Sequence, residues 1–122
     1  MIFEIDGFDI VPFIEENGIT WTPNGIDGPD AGRVLDGDME RNLLCYKADG
    51  QISCVWMTKE QTLELYRHIM PEFVTVRTDT IQWLDGVVTK RMYSNAAPAT
   101  LGEEYSDGTK IYQDIEFPLV EK

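Results

Sequence analysis

Asp-Gly dipeptides set between short apolar, β-rich runs constrain this chain more than any other feature. Asp6-Gly7 separates Ile2–Ile5 from Phe8–Val11, and Asp85-Gly86 separates Ile81–Leu84 from Val87–Tyr93. Asp49-Gly50 separates a run over residues 38–47 from Gln51–Met57. Both residues tolerate positive φ, which a two-residue type I′ turn needs, and that turn matches the twist of paired strands. Three antiparallel hairpins are therefore predicted. Pro12 ends the second strand or forces it to an edge, because it has no N–H for a ladder. Phe13–Gly18 reads as a helical turn and Gly18–Trp21 as a short extended piece. Phe73–Arg77 is strand-like by composition. Asn95–Gly108 reads as a loop. In the last predicted strand, Thr109–Leu119, Ile111, Ile115 and Phe117 occupy one face and Asp114 and Glu116 the other.

One segment carries helical chemistry instead. Thr58-Lys-Glu-Gln61 is a capping box: the Thr oxygen accepts the Gln61 backbone N–H, and the Gln61 side chain reaches back. Leu63, Tyr66 and Met70 follow at helical spacing, with Leu65 and Ile69 in a second row, which predicts one broad apolar face. Pro71 closes the helix. Repeated hairpins around a single helix predict a mainly β (α+β) domain. Its expected form is an antiparallel β-sandwich or small barrel with one α-helix packed on it. At 122 residues there is room for one core, so residues 1–122 are expected to form a single domain.

Composition narrows the function classes. No apolar run approaches the roughly 20 residues that span a bilayer. The opening Met1–Asp6 carries acids and lacks the basic-then-apolar order of a signal peptide, so a cytoplasmic site of synthesis is expected. The net charge is -12, from 22 acids and 10 Lys and Arg. That balance opposes binding of nucleic-acid phosphates, which takes clustered cations. It leaves three readings: a solvated self-repelling surface, an acidic docking face for basic partners, or a DNA-mimicking inhibitor.

Catalytic and metal chemistry finds little footing. There is one His, His68 on the predicted helix, and no paired-Cys element for zinc. Ser53, Ser94 and Ser106 have no nucleophile-elbow context. Gly25, Gly28 and Gly32 fall in an acidic stretch that would repel a phosphate. No carboxylate pair is singled out for hydrolysis. Asp27, Asp30, Asp36, Asp38 and Glu40 depart from the calcium-loop pattern and fit Asx-turn chemistry, with calcium left as an alternative. A non-enzymatic protein without cofactor or metal is expected. If Asp49-Gly50 is a tight turn, Leu43 faces Trp56 and Cys45 faces Cys54 at a non-hydrogen-bonded site, with Cα atoms about 4.5 Å apart. The spacing permits a disulfide; a reducing compartment favours two packed thiols.

The segment from Trp21 to Arg41 is dense in Gly, Asp and Pro, and reads as a long loop through about Asp38 that is functional or ordered by a neighbour. Its Trp21, Asn24, Ile26-Asp27-Gly28-Pro29, Gly32-Arg33, Leu35-Asp36-Gly37, Met39 and Arg41 resemble small proteins encoded in the tail-gene region of bacteriophages and prophages. The resemblance covers mainly Gly18–Met57, is firmest in Asp27–Arg41, and is looser over the helix, later hairpin and terminal strand. It implies a structural or assembly protein of a tail, with other tail proteins or copies of itself as partners. The implied location is the host cytoplasm during assembly and then the virion tail. It implies a β-sandwich-plus-helix module like those of tail tubes, terminators and baseplates, and brings no catalytic residues. The candidate interface residues are Trp21, Asn24, Asp27, Asp30, Arg33, Asp36 and Arg41. Arg33 and Arg41 sit among acids either as local ion pairs or as contacts to a neighbouring subunit. Of the tryptophans, Trp56 is expected in the core and Trp21 at an interface, with Trp83 core by default. An acidic loop on a neighbour's basic patch would make assembly salt-sensitive. A DNA-mimic inhibitor, a calcium- or carbohydrate-binding β module and a minor hydrolase are the alternatives.

Overall fold

The computed structural model describes residues 1–27, 32–33, 39–40 and 43–122, with side chains at 1–25 and 46–122. The strands are β1 (Phe3–Ile5), β2 (Phe8–Asp9), β3 (Ile14–Asp27), β4 (Gly32–Arg33), β5 (Met39–Glu40) and β6 (Leu43–Cys54). After β7 (Met57–Thr58) come the helix α1 (Lys59–Ile69), β8 (Val74–Thr78), β9 (Val88–Tyr93), β10 (Thr100–Glu104), β11 (Lys110–Gln113) and β12 (Glu116–Glu121). A 3-10 turn occupies Val11–Phe13. The protein is mainly β, with one seven-stranded antiparallel sheet in the order β2-β1-β8-β9-β12-β6-β3. A smaller sheet has the order β10-β11-β7, and β4 pairs with β5.

The large sheet is curled. Strands β1 and β3 are five spacings apart, about 24 Å if the sheet were flat. Yet the rings of Phe3 and Trp21 stack with centroids 6.0 Å apart. The connection from β8 to β9 reaches over to β3: Trp21 Nε1 donates to Thr80 Oγ1 at 2.9 Å, and Gln82 Nε2 donates to the Trp21 carbonyl at 2.8 Å. The sheet is thus an open barrel closed on one side by side-chain hydrogen bonds. Its interior holds Phe3, Ile5, Trp21, Ile52, Val76, Met92, Phe117 and Leu119. Helix α1 adds Leu65 and Ile69 to this core. Its Tyr66 hydroxyl donates to the Ala97 carbonyl at 2.6 Å. His68 stacks on Phe8 at 4.3 Å, and Phe8 on Phe13 at 5.8 Å.

Local chemistry behaves as expected at several points. Asp6 and Gly7 take φ of 50° and 83°, turning β1 into β2. The capping box at Thr58 and Gln61 forms. Val74–Thr78 is a strand with Val74, Val76 and Thr78 buried.

Other expectations are overturned. Asp49-Gly50 is no turn: β6 runs straight through it, with Gly50 paired to Trp21 on one side and Leu119 on the other. Gly50 meets a steric need there, since a Cβ would lie 2.5 Å from Trp21 Cζ3. Leu43 therefore does not face Trp56, and Cys45 does not face Cys54. The two cysteines lie on one strand, about 30 Å apart at nine residues, far beyond disulfide reach. Cys54 is a buried free thiol.

The expected helical turn over Phe13–Gly18 is instead the end of the 3-10 turn and a bulged start to β3. The register shifts between Ile14 and Ile19, and Asn17 adopts φ 60°. Ile81–Leu84 is not a strand; β9 pairs with β8, and Ile81 is buried in the connection. The predicted loop over Asn95–Gly108 contains β10, paired to β11. The predicted last strand breaks at Asp114, φ 54°, so Ile115 and Phe117 are buried while Ile111 is only half-buried. On α1 the buried row is Thr62, Leu65 and Ile69, while Leu63 and Met70 are 55% and 72% exposed. Thr62 can be buried because its hydroxyl donates to the Thr58 carbonyl at 2.9 Å.

Candidate interface arm

Strand β6 has neighbours on both sides only over part of its length. Strand β12 pairs with it from Ser53 to Asp49. Beyond that point, among the described residues, Ala48–Leu43 pairs with Pro23–Asp27 of β3 alone. The result is a two-stranded ribbon, about 20 Å long at 3.4 Å per residue, running out from the seven-stranded sheet. Strands β4 and β5 lie in the segment between its two ends, with Gly32 opposite Glu40 and Arg33 opposite Met39. The stretch from Thr22 to Asp27 is therefore strand, where a loop was expected. Thr20 and Thr22 flanking Trp21 are the period-two signal that marks it.

Pro23 and Asn24 are exposed, and Tyr46 is half-exposed. Asn24 Nδ2 donates to Asp49 Oδ2 at 3.2 Å, bracing the ribbon where it leaves the sheet. Pro23 removes one donor from a long edge strand, which discourages indiscriminate edge pairing.

The candidate residues separate accordingly. Asn24 and Asp27 lie on the ribbon and Arg33 on β4, opposite Met39. Asp30, Asp36 and Arg41 lie outside the described residues, as does Asp38; of the acids considered for calcium, the backbone of Asp27 lies on β3 and that of Glu40 on β5. Trp21, expected at an interface, lies in the core: it is 5% exposed, stacked on Phe3 and bonded to Thr80. Trp56 is 63% exposed and outside the core. The exchange has one cause. With β6 continuous, Gly50 leaves space for Trp21 inside the curl, whereas Trp56 falls after the strand ends at Cys54. Trp83 is half-buried against the core.

The reactive groups are arranged for structure. Burial, reinforced by the nearby Glu15 carboxylate, pushes the Cys54 thiol up to about 12. It therefore stays protonated and poorly nucleophilic at neutral pH. His68 Nδ1 lies 2.9 Å from the Glu64 carbonyl, and its ring packs on Phe8. Burial, then Cys54, raises the Tyr66 phenol. Among the described residues no group of three or more His, Cys, Asp or Glu is placed to hold a metal ion, and no helix is long and apolar enough to cross a membrane. No family model, curated protein or solved structure matches this chain.

Two features had no contiguous sequence signal. Phe73, Arg91, Tyr93 and Lys122 gather at one end of β12, and Glu15, Trp56, Asp114 and Glu116 at the other. Each set draws on distant parts of the chain.

Proposed function

We propose that this protein is a non-enzymatic structural or assembly component of a bacteriophage or prophage tail, acting through protein–protein contacts. The observation that carries the reading is the arm. Apart from the buried Trp21, the residues resembling the tail-region proteins fall on the part of β3 that runs past the β6–β12 pairing and on the segment between the two ends of that ribbon. Among the described residues this ribbon has no third strand, which leaves its edge backbone groups available to a neighbour. From Asn24 to Arg41 there are five acids and two bases, so the arm suits a basic surface.

The test replaces residues 28–42 with Asn-Gly, which joins the paired Asp27 and Leu43 through a two-residue hairpin. Light scattering across protein concentration and salt is expected to give a discrete oligomer for the full chain and a monomer for the shortened one. Unchanged circular dichroism would show that the core survives. A full chain that stays monomeric at every concentration, and competes with DNA for a basic DNA-binding protein, would overturn the reading in favour of a DNA mimic.

A further inference from the structure

The two ends of β12 carry opposite charge, each organised around an aromatic ring. Beside its start lies a cleft of about 420 Å³ lined by Glu15, Ser53, Trp56, Asp114 and Glu116. The three carboxylates are exposed, and no Lys or Arg lines the cleft. Among the described residues none of the three is in an ion pair. Trp56 therefore offers its indole to solvent among three negative charges that have no ion-pair partner among the described residues. A cation is held well by such a combination, through the ring quadrupole and the carboxylates together.

Past the other end of β12 the arrangement inverts. Lys122 Nζ sits 4.5 Å from the centroid of Phe73, and Arg91 Cζ sits 5.4 Å from it. Tyr93 packs edge-on against Phe73 at 6.1 Å. The Lys122 backbone N–H donates to the Arg91 carbonyl at 2.8 Å, which keeps the two cations together. Neither side chain is within ion-pair distance of a carboxylate among the described residues. In a chain with 22 acids, two adjacent cations left on one ring form a cationic knob that an anionic, aromatic cleft would complement.

The two halves cannot meet within one molecule. Glu116 and Lys122 are six residues apart along an extended run, about 20 Å, and the ladders to β6 and β9 hold that run straight. A second copy displaced along this direction brings them together. We infer that the Arg91–Lys122 knob of one copy docks in the Trp56 cleft of the next, forming a head-to-tail contact. Its occupant is a second copy of this chain, and the inference rests on the proposed self-assembling role. A contact between two different surfaces repeats around a ring or along a filament, where a two-fold contact would stop at a dimer.

Complementary charge reversal tests it. One variant carries Arg91→Glu and Lys122→Glu; the other carries Glu15→Lys and Glu116→Lys. Each alone juxtaposes like charges, and sedimentation at about 0.15 M salt, where the Debye length is about 8 Å, is expected to show self-association at least about tenfold weaker. Mixed in equal amounts, each variant's knob matches the other's cleft, and assembly returns. Trp56→Ala, at an exposed site, is expected to weaken association while leaving the urea midpoint in place. Reversed variants that associate like the parent, or a mixture that fails to recover, would overturn this contact and leave the tail assignment standing. A parent chain monomeric at all concentrations would overturn this contact, and the tail assignment would fall with it only if the monomer also competed with DNA for a basic protein.

Discussion

Gly50→Ala places the structural argument at greatest risk. An added Cβ would lie 2.5 and 2.7 Å from Cζ3 and Cε3 of Trp21, about 1 Å inside ordinary carbon–carbon contact. Trp21 has nowhere to retreat, since it stacks on Phe3 and holds Thr80 at 2.9 Å. Overpacking of this kind costs about 1–3 kcal/mol, and losing the Thr80 bond would add about 1 kcal/mol. Against that stands a gain of about 0.5–1 kcal/mol from replacing a mid-strand glycine. The net expectation is a loss of about 1–3 kcal/mol.

A double-mutant cycle isolates the cause. In a Trp21→Leu background the added methyl has room, so Gly50→Ala should be neutral or stabilise by up to about 1 kcal/mol. The coupling energy should then reach about 2 kcal/mol. Urea unfolding followed by far-ultraviolet circular dichroism measures all four proteins, and Trp56 and Trp83 serve as fluorescence probes in every one. An equal loss in both backgrounds would refute the reasoning, because the penalty would then belong to the β6 backbone and not to Trp21.

Three further outcomes are expected. Cys54 should resist a thiol reagent at pH 8 in the folded protein and react on unfolding, measured in a Cys45→Ser background. Because burial raises this thiol from 9.0 to about 12, its contribution to stability is complete below pH 9 and declines as pH rises toward 12, which urea midpoints across pH 8–10.5 would follow. Thr58→Ala removes the helix cap and should cost about 1 kcal/mol, with Thr58→Ser restoring most of it. Leu63→Lys, on the exposed side of α1, should change stability by no more than about 0.5 kcal/mol, whereas Leu65→Ala should cost about 2–5 kcal/mol; thermal melts compare the two.

The candidate site was partly legible in the sequence. Asn24 and Asp27 lie on β3 and Arg33 on β4, a strand form that was hidden by the turn chemistry of Asn24-Gly25 and Asp27-Gly28. Trp21 and Trp56 exchanged places because burial depends on which residues face the closed curl. The knob and the cleft had no sequence signature. Phe73, Arg91 and Lys122 meet only after β8, β9 and β12 are laid side by side, and Glu15, Trp56 and Glu116 only where β3, β6 and β12 converge.

What the sequence determined by itself lies within a few residues of its cause. Asp6-Gly7 turns because both residues accept positive φ, α1 starts at Thr58 because the capping groups are three residues apart, and Val74–Thr78 alternates because its buried side chains do. The antiparallel, mainly β class follows from several such signals together. Tertiary structure decided whether Asp49-Gly50 bends or runs straight. A local turn preference is a small energy, and β6 offsets it with ladders to β3 and β12 and with the space Gly50 leaves for Trp21. The same long-range pairing settled which tryptophan is buried, where the last strand breaks and how far the arm extends beyond the sheet. Those outcomes depend on residues distant in the chain, and no window of sequence contains both partners.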